Sequence, residues 1–289
     1  MVVFFYSVFS VFGFTLCKLL FGIDFISNPD LINNLSSNPD SLNAAKFLQV
    51  FVPVGGLIIP AWLFPKALQL NPVSFLKIDT RFDIRYLVPS IVLIIVSIPV
   101  IAWLINVNEN MHLPESMHDL EMKLKASEDM AAQLTNAFVK TNSFSGLLLN
   151  ILVIALAPAL CEEFLFRGTL QQFILICFKN KHVAVWSTAI IFSAVHMQFF
   201  GFFPRAALGI FLGYMFVYSK NIWIPAAAHF FNNLMTLLAS YYKWNESSEL
   251  MKDDYVFPFY VIALSILFSI ALIVLMHTFE KKEQKTDGV

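Results

Sequence analysis

Long apolar runs separated by short polar stretches dominate the chain. Eight approach the ~20 residues a helix needs to cross the hydrocarbon core of a bilayer: Val2–Gly22, Phe47–Phe64, Tyr86–Ile105, Leu147–Phe178, Val183–Phe200, Phe202–Tyr218, Ile222–Tyr241 and Val256–His277. The pattern predicts an all-α polytopic membrane protein, a bundle of about eight transmembrane helices. Pro53, Pro60, Pro89, Pro99, Pro158 and Pro225 fall inside these runs. Membrane helices tolerate them where neighbours re-satisfy the freed carbonyls. The fourth run exceeds one perpendicular crossing, so its second half, Arg167–Phe178, is expected to tilt or to lie toward the interface. The first run lacks a charged leader and a small-residue cleavage site, and is expected to stay as a span.

One connection, Asn106–Phe144, is long enough to fold separately. Within it Met117, Leu120, Leu124, Ala131, Leu134 and Phe138 recur at helical spacing among Glu, Asp and Lys. An amphipathic helix on the membrane surface or capping the bundle follows. A plain surface helix is the expectation, and a lid over a cavity the sharper alternative. The chain then divides into 1–146 (N-terminal spans and this loop), 147–241 (a core in the membrane) and 242–289 (last span and tail).

Composition supports the membrane class. Hydrophobic residues make up 58% and charged residues 13%, against about 25% charged in soluble domains. A formal net charge of −1 leaves no basic stripe for phosphates, so nucleic acid is excluded as a partner. The connections alternate in sign. Lys66, Lys77, Arg81, Arg85, Lys179, Lys181, Lys220, Lys281, Lys282 and Lys285 fall on one side. Asp24, Asp30, Asp40, the acidic third loop, Glu246, Glu249, Asp253 and Asp254 fall on the other. The positive-inside rule places both termini in the cytoplasm. Cys17, Cys161 and Cys177 have no pairing or zinc-ligand spacing and are expected to be small buried apolar residues. Asn34–Ser36 and Asn245–Ser247 match the glycosylation sequon, a pattern that arises readily by chance.

Charges inside the fourth run change the picture. Glu162, Glu163 and Arg167 would each cost about 2.5–3.5 kcal/mol at mid-bilayer, and ionisable residues there mark functional sites by default. Glu163 and Arg167 stand at i and i+4, acid first, the favoured helical pair. Glu162 points about 100° away and is free to face another helix. The fifth run holds Ser193 and His196; the seventh holds His229 and Asn233 one turn apart, with Asn232 rotated off their face. Arg205 and Lys18 are expected to snorkel. Counting 1.5 Å per residue from the turn at 179–182 sets Glu162 and His196 level, while His229 falls about 10 Å short, so a kink at Pro225 or a tilt is required. A carboxylate and an imidazole on one water can remove its proton, and a second imidazole with an amide can donate to an oxyanion, a set suited to peptide hydrolysis. The same Glu and His side chains are also zinc ligands.

At these residues the chain resembles the CPBP family of intramembrane proteases, which includes the type II CAAX prenyl endopeptidases and bacterial Abi proteins. Three motifs carry the likeness: Glu162-Glu163-x-x-x-Arg167 followed by Gly168, Phe192-x-x-x-His196, and His229-x-x-x-Asn233. It covers roughly 147–240; the first three spans match only as generic helices. The resemblance implies an intramembrane endopeptidase in which Glu162 and His196 activate water. His229 and Asn233 would stabilise the oxyanion, with Glu163 and Arg167 in support. No cofactor is required on this reading; if zinc is used, its ligands are Glu162, His196 and His229. The implied partner is a membrane-associated peptide or protein, lipidated in eukaryotic relatives. Two other classes remain: a non-catalytic immunity or scaffold protein that keeps the motif, and a transporter, for which the expected repeat is absent.

Overall fold

A computed structural model describes residues 1–33, 35, 38–141, 143–242 and 255–287. Both sequons in part or whole, and Glu246, Glu249, Asp253 and Asp254, lie outside the described residues. So does the side chain of Lys285. Among the described residues the chain is helical with no strand, and it is a polytopic integral membrane protein.

Helix α1 (Val2–Phe21) packs on α2 (Pro39–Ala67), which begins eight residues before the expected run. Asn38 caps α2 by accepting from the backbone of Asp40 and Ser41, and Pro39 takes the first helical position. Next comes a bent pair, α3 (Ile84–Val96) and α4 (Ile98–Glu109), set at 45°. The bend follows from Pro99, which cannot donate to Ile95 and whose ring crowds that carbonyl. The amphipathic helix of the third loop is α5 (His118–Val139). The fourth run forms one long helix, α6 (Phe144–Phe178). Then come α7 (Lys181–Ala194), α8 (Phe202–Ser219), α9 (Trp223–Tyr241) and α10 (Phe259–Asp287).

Among the described residues five helices are long and apolar enough to cross a membrane: α1, α2, α6, α8 and α10, with α3–α4 a sixth if the bent pair is one span. The other two expected spans are α7 and α9. Helix α7 is short, at 14 residues, because it stops at Ala194, ahead of the expected Phe200. Helix α9 has length but carries His229, Asn232, Asn233 and Thr236 in its apolar sequence.

Among the described residues three π turns interrupt the long helices: Val54–Ile58 between Pro53 and Pro60, Ile151–Leu156 just ahead of Pro158, and Phe166–Gln171 around Arg167. A wider turn leaves room for a proline ring that a regular turn would crowd, and such turns recur at functional sites. The core has several centres. One joins α3, α8, α9 and α10 through Leu93, Leu212, Met215, Ile224 and Met276. Another joins Ala61 of α2 to Leu165, Phe166 and Phe192 beside the charged motif. Helices α7 and α8 meet closely because Gly209 and Gly213, four apart, have no side chain. A Cβ on Gly209 would stand 3.0 Å from that of Ala189, and one on Gly213 would stand 2.9 Å from Val185. Cys17 and Cys161 are buried as expected, whereas Cys177 is exposed, at the end of α6.

Candidate active site

Glu163 and Arg167 are fully buried and paired, Arg167 Nη1 donating to Glu163 Oε1 at 2.8 Å. Arg167 also donates from Nη2 to the Gly209 carbonyl at 3.1 Å, and its guanidinium lies 4.7 Å from the Phe192 ring centroid. The pair does more than neutralise itself: Glu163 Oε1 also accepts from His229 Nδ1 at 2.9 Å. His229, nearly buried, therefore has a set ring orientation, and its Nε2 stands 3.9 Å from Glu162 Oε2. That separation is too long for a direct hydrogen bond and suits one intervening water or substrate oxygen. The two consecutive glutamates thus serve the two nitrogens of one imidazole, the buried one holding it and the partly exposed one facing it.

His196 lies beyond the end of α7, on the turn that follows Ala194, and not within a span. Its Nδ1 donates to the Phe192 carbonyl at 2.7 Å, which leaves Nε2 as an acceptor. Ser193 anchors the same corner by donating to the Phe202 carbonyl at 2.7 Å. Pro225 falls in the first turn of α9, where a missing N–H costs nothing, so no kink there brings His229 to Glu162.

A cavity of about 810 Å³ gathers Glu162, His196, His229 and Asn233 on its wall. Two further residues and one helix differ from expectation. Asn232 is not rotated away: it lines the same cavity, and its Nδ2 donates to Asn233 Oδ1 at 3.3 Å. That bond turns the amide of Asn233 so that its own NH₂ is the free end. Arg205 does not snorkel; it lines the cavity and donates to Gln198. The third is α5, which is no plain surface helix. Thr135, Asn136 and Val139 form part of the cavity wall, and Glu128 Oε2 accepts from the Phe200 backbone at 3.0 Å, in the loop after His196. Phe138 roots the end of α5 in the core with Cys17 and Ala44. Buried Lys46 donates to Asn150, which donates to the Val139 carbonyl in the last turn of α5. The signal for Asn232 was its position beside Asn233; for the lid it was the length of the apolar stripe.

Outside the spans, the first turn of α5 is tied down by Glu121. His112 Nδ1 at 3.0 Å, and then the Leu113 backbone N–H at 3.0 Å, hold this carboxyl below its ordinary range. The zinc alternative asks Glu162, His196 and His229 to converge on one point. Among the described residues no three His, Cys, Asp or Glu side chains form such a group. The Nδ1 atoms of both histidines are engaged by protein oxygens, which leaves each Nε2 free.

Residues 144–235 match the family model described as "Type II CAAX prenyl endopeptidase Rce1-like". A curated relative, "Uncharacterized protein YpbD" of Bacillus subtilis (strain 168), is 32% identical over 85 residues, which is 28% of this chain and 40% of that protein's length. No solved structure matches the chain. The resemblance to the CPBP family read from the three motifs is thus shown independently, over the segment that holds all three.

Proposed function

We propose that the chain is an intramembrane endopeptidase that hydrolyses a peptide bond of a membrane-associated peptide or protein, without a nucleophilic side chain and without a metal. The observation that carries the reading is one cavity whose wall holds a partly exposed carboxylate, two imidazoles with outward Nε2 atoms, and an oriented asparagine amide.

In this mechanism a water between Glu162 and His196 gives a proton to the Glu162 carboxylate while His196 Nε2 holds the second hydrogen. The water oxygen bonds to the carbonyl carbon, and the π pair moves to the carbonyl oxygen. An imidazolium at His229 donates from both nitrogens, Nδ1 to Glu163 and Nε2 to the oxyanion, while Asn233 Nδ2 adds a second donor. Collapse breaks the C–N bond, and the leaving amine takes the proton from Glu162. Glu163, Arg167 and Asn232 are positioning residues. The remaining wall suits an apolar or lipid-modified segment, since α3 and α4 contribute Ile94, Ile98, Ile101, Ala102 and Ile105. The lysine-rich end of the bundle would face the cytoplasm of a bacterial cell.

The test is cleavage of a peptide library by the full chain in detergent, comparing wild type with Glu162→Gln and His196→Ala, each with and without chelator. Loss of about 10²–10⁴ in rate is expected for both variants, with no chelator effect and, for Glu162→Gln, unchanged thermal stability. Cleavage by Glu162→Gln at the wild-type rate would overturn the assignment. A scaffold that merely keeps the motif would retain its cellular activity in the same variant.

A further inference from the structure

A second cavity, of about 670 Å³, opens at the end of the bundle where α6, α7 and α8 terminate or begin. Four lysines line it, Lys77, Lys179, Lys181 and Lys220, against one carboxylate, Glu280. Glu280 serves Lys181 at 3.6 Å and Lys220 at 4.0 Å. Among the described residues Lys77 and Lys179 have no carboxylate partner. Like charges repel when gathered, so an unoccupied cluster of this kind is electrostatically costly.

The backbone sharpens the point. Lys77, Lys179 and Lys220 have φ of 59°, 52° and 50°, the left-handed region that glycine enters without cost. Lys179 and Lys220 directly follow the last turns of α6 and α8. A cation there complements a helix C-terminus, which accounts for one lysine at one helix end but not for four converging on one cavity.

An independent observation comes from Gln171. Its side chain is 1% exposed and donates Nε2 to the Gly213 carbonyl at 3.0 Å. Its Oε1 is buried and has no partner among the described residues, and Gln171 is one of the residues that line this cavity. That oxygen only accepts, so it calls for a ligand with a donor, which a bare phosphodiester lacks. Leu175, Phe216 and Val217 add an apolar side. The cavity therefore combines cations, an acceptor and an apolar wall at the end of the bundle, and a span's end is where headgroups are met.

We propose that this cavity binds the headgroup of an anionic phospholipid, its phosphodiester among the lysines and a free hydroxyl on Gln171, as in phosphatidylglycerol. The site is separate from the catalytic cavity and does not depend on the hydrolytic reading. Arg167 and Gln171, one turn apart, donate to Gly209 and Gly213 of α8, so an occupant would steady the same α6–α8 junction that holds the charged pair.

The experiment is native mass spectrometry of the full chain in mild detergent with equal phosphatidylglycerol, phosphatidylethanolamine and phosphatidylmethanol, the last an anionic phosphodiester with no free hydroxyl. Wild type is expected to retain phosphatidylglycerol over both. Lys77→Asn/Lys179→Asn/Lys220→Asn removes three charges while keeping a residue that tolerates the left-handed region. Its retention is expected to fall about fivefold per lysine removed. The Arg triple variant should retain the lipid, as should a control with exposed Lys66, Lys123 and Lys125 replaced by Asn. Absence of any phosphatidylglycerol preference in wild type would overturn the site regardless of how the variants fold, as would an equal loss in the control. Equal retention of phosphatidylmethanol would remove the role given to Gln171. Displacement of the lipid by millimolar inorganic phosphate would reassign the cavity to a free anion.

Discussion

Replacing Arg167 by Met should be among the most damaging single changes outside the cavity wall, and the structure supplies the magnitude. Arg167 and Glu163 are both fully buried and 2.8 Å apart. Removing one member of such a pair leaves an uncompensated charge and costs about 3–5 kcal/mol. The Phe192 contact adds to this in the same direction. At about 2–4 °C per kcal/mol, Arg167→Met should lower the apparent Tm in detergent by about 6–20 °C. Replacing both members removes the stranded charge. In Glu163→Leu/Arg167→Met the main remaining defect is the unpartnered His229 Nδ1–H, worth about 1–3 kcal/mol. The double variant should therefore be more stable than Arg167→Met, yet inactive, because His229 has lost the group that orients it. Thermal unfolding by tryptophan fluorescence, run on wild type, both singles and the double, gives the cycle. An Arg167→Met protein as stable as wild type, or a double variant no more stable than it, would refute the account of a buried pair whose charges need each other.

Other outcomes follow from individual contacts. Asn232→Ala removes the bond that turns Asn233, worth about 0.5–1.5 kcal/mol; kcat should fall up to about tenfold with KM unchanged, and a change confined to KM would contradict it. Glu128→Ala releases the bond between α5 and Phe200, so limited proteolysis within α5 should accelerate while the Tm of the bundle holds; unchanged proteolysis would mean that Phe138 and the Lys46–Asn150 relay hold the lid alone. The Glu121 carboxyl is held low by His112 and Leu113. Its contribution is therefore present above the unfolded carboxyl range, about 4.3 for Glu, and lost as pH falls through the lower folded value. Hydrogen exchange over 112–121 should stay protected at about pH 5 and open in stronger acid, with His112→Ala moving the opening to higher pH; equal opening in both proteins would remove the pairing as its cause.

Much of this protein is legible because its signals are local. Apolar length and helical period act within one segment, so the α1, α2, α6, α8 and α10 spans follow from the sequence, as does the i, i+4 pairing of Glu163 with Arg167. Helix rotation of about 100° per residue likewise separates Glu162 from Glu163 without any neighbour. Tertiary structure decided what each face meets. That both glutamates address His229, one at each nitrogen, depends on where α9 crosses α6. Asn232 and Arg205 face the cavity because of how α8 and α9 are rotated, a quantity no single-helix pattern contains. Helix α7 ends early because His196 and Ser193 satisfy the corner with the Phe192 and Phe202 carbonyls, bonds set by the chain's return into α8. The third loop becomes a lid through Glu128, Phe138 and Asn136, partners far apart in sequence. Lysines read separately as loop charges share one cavity only because three helix ends meet there.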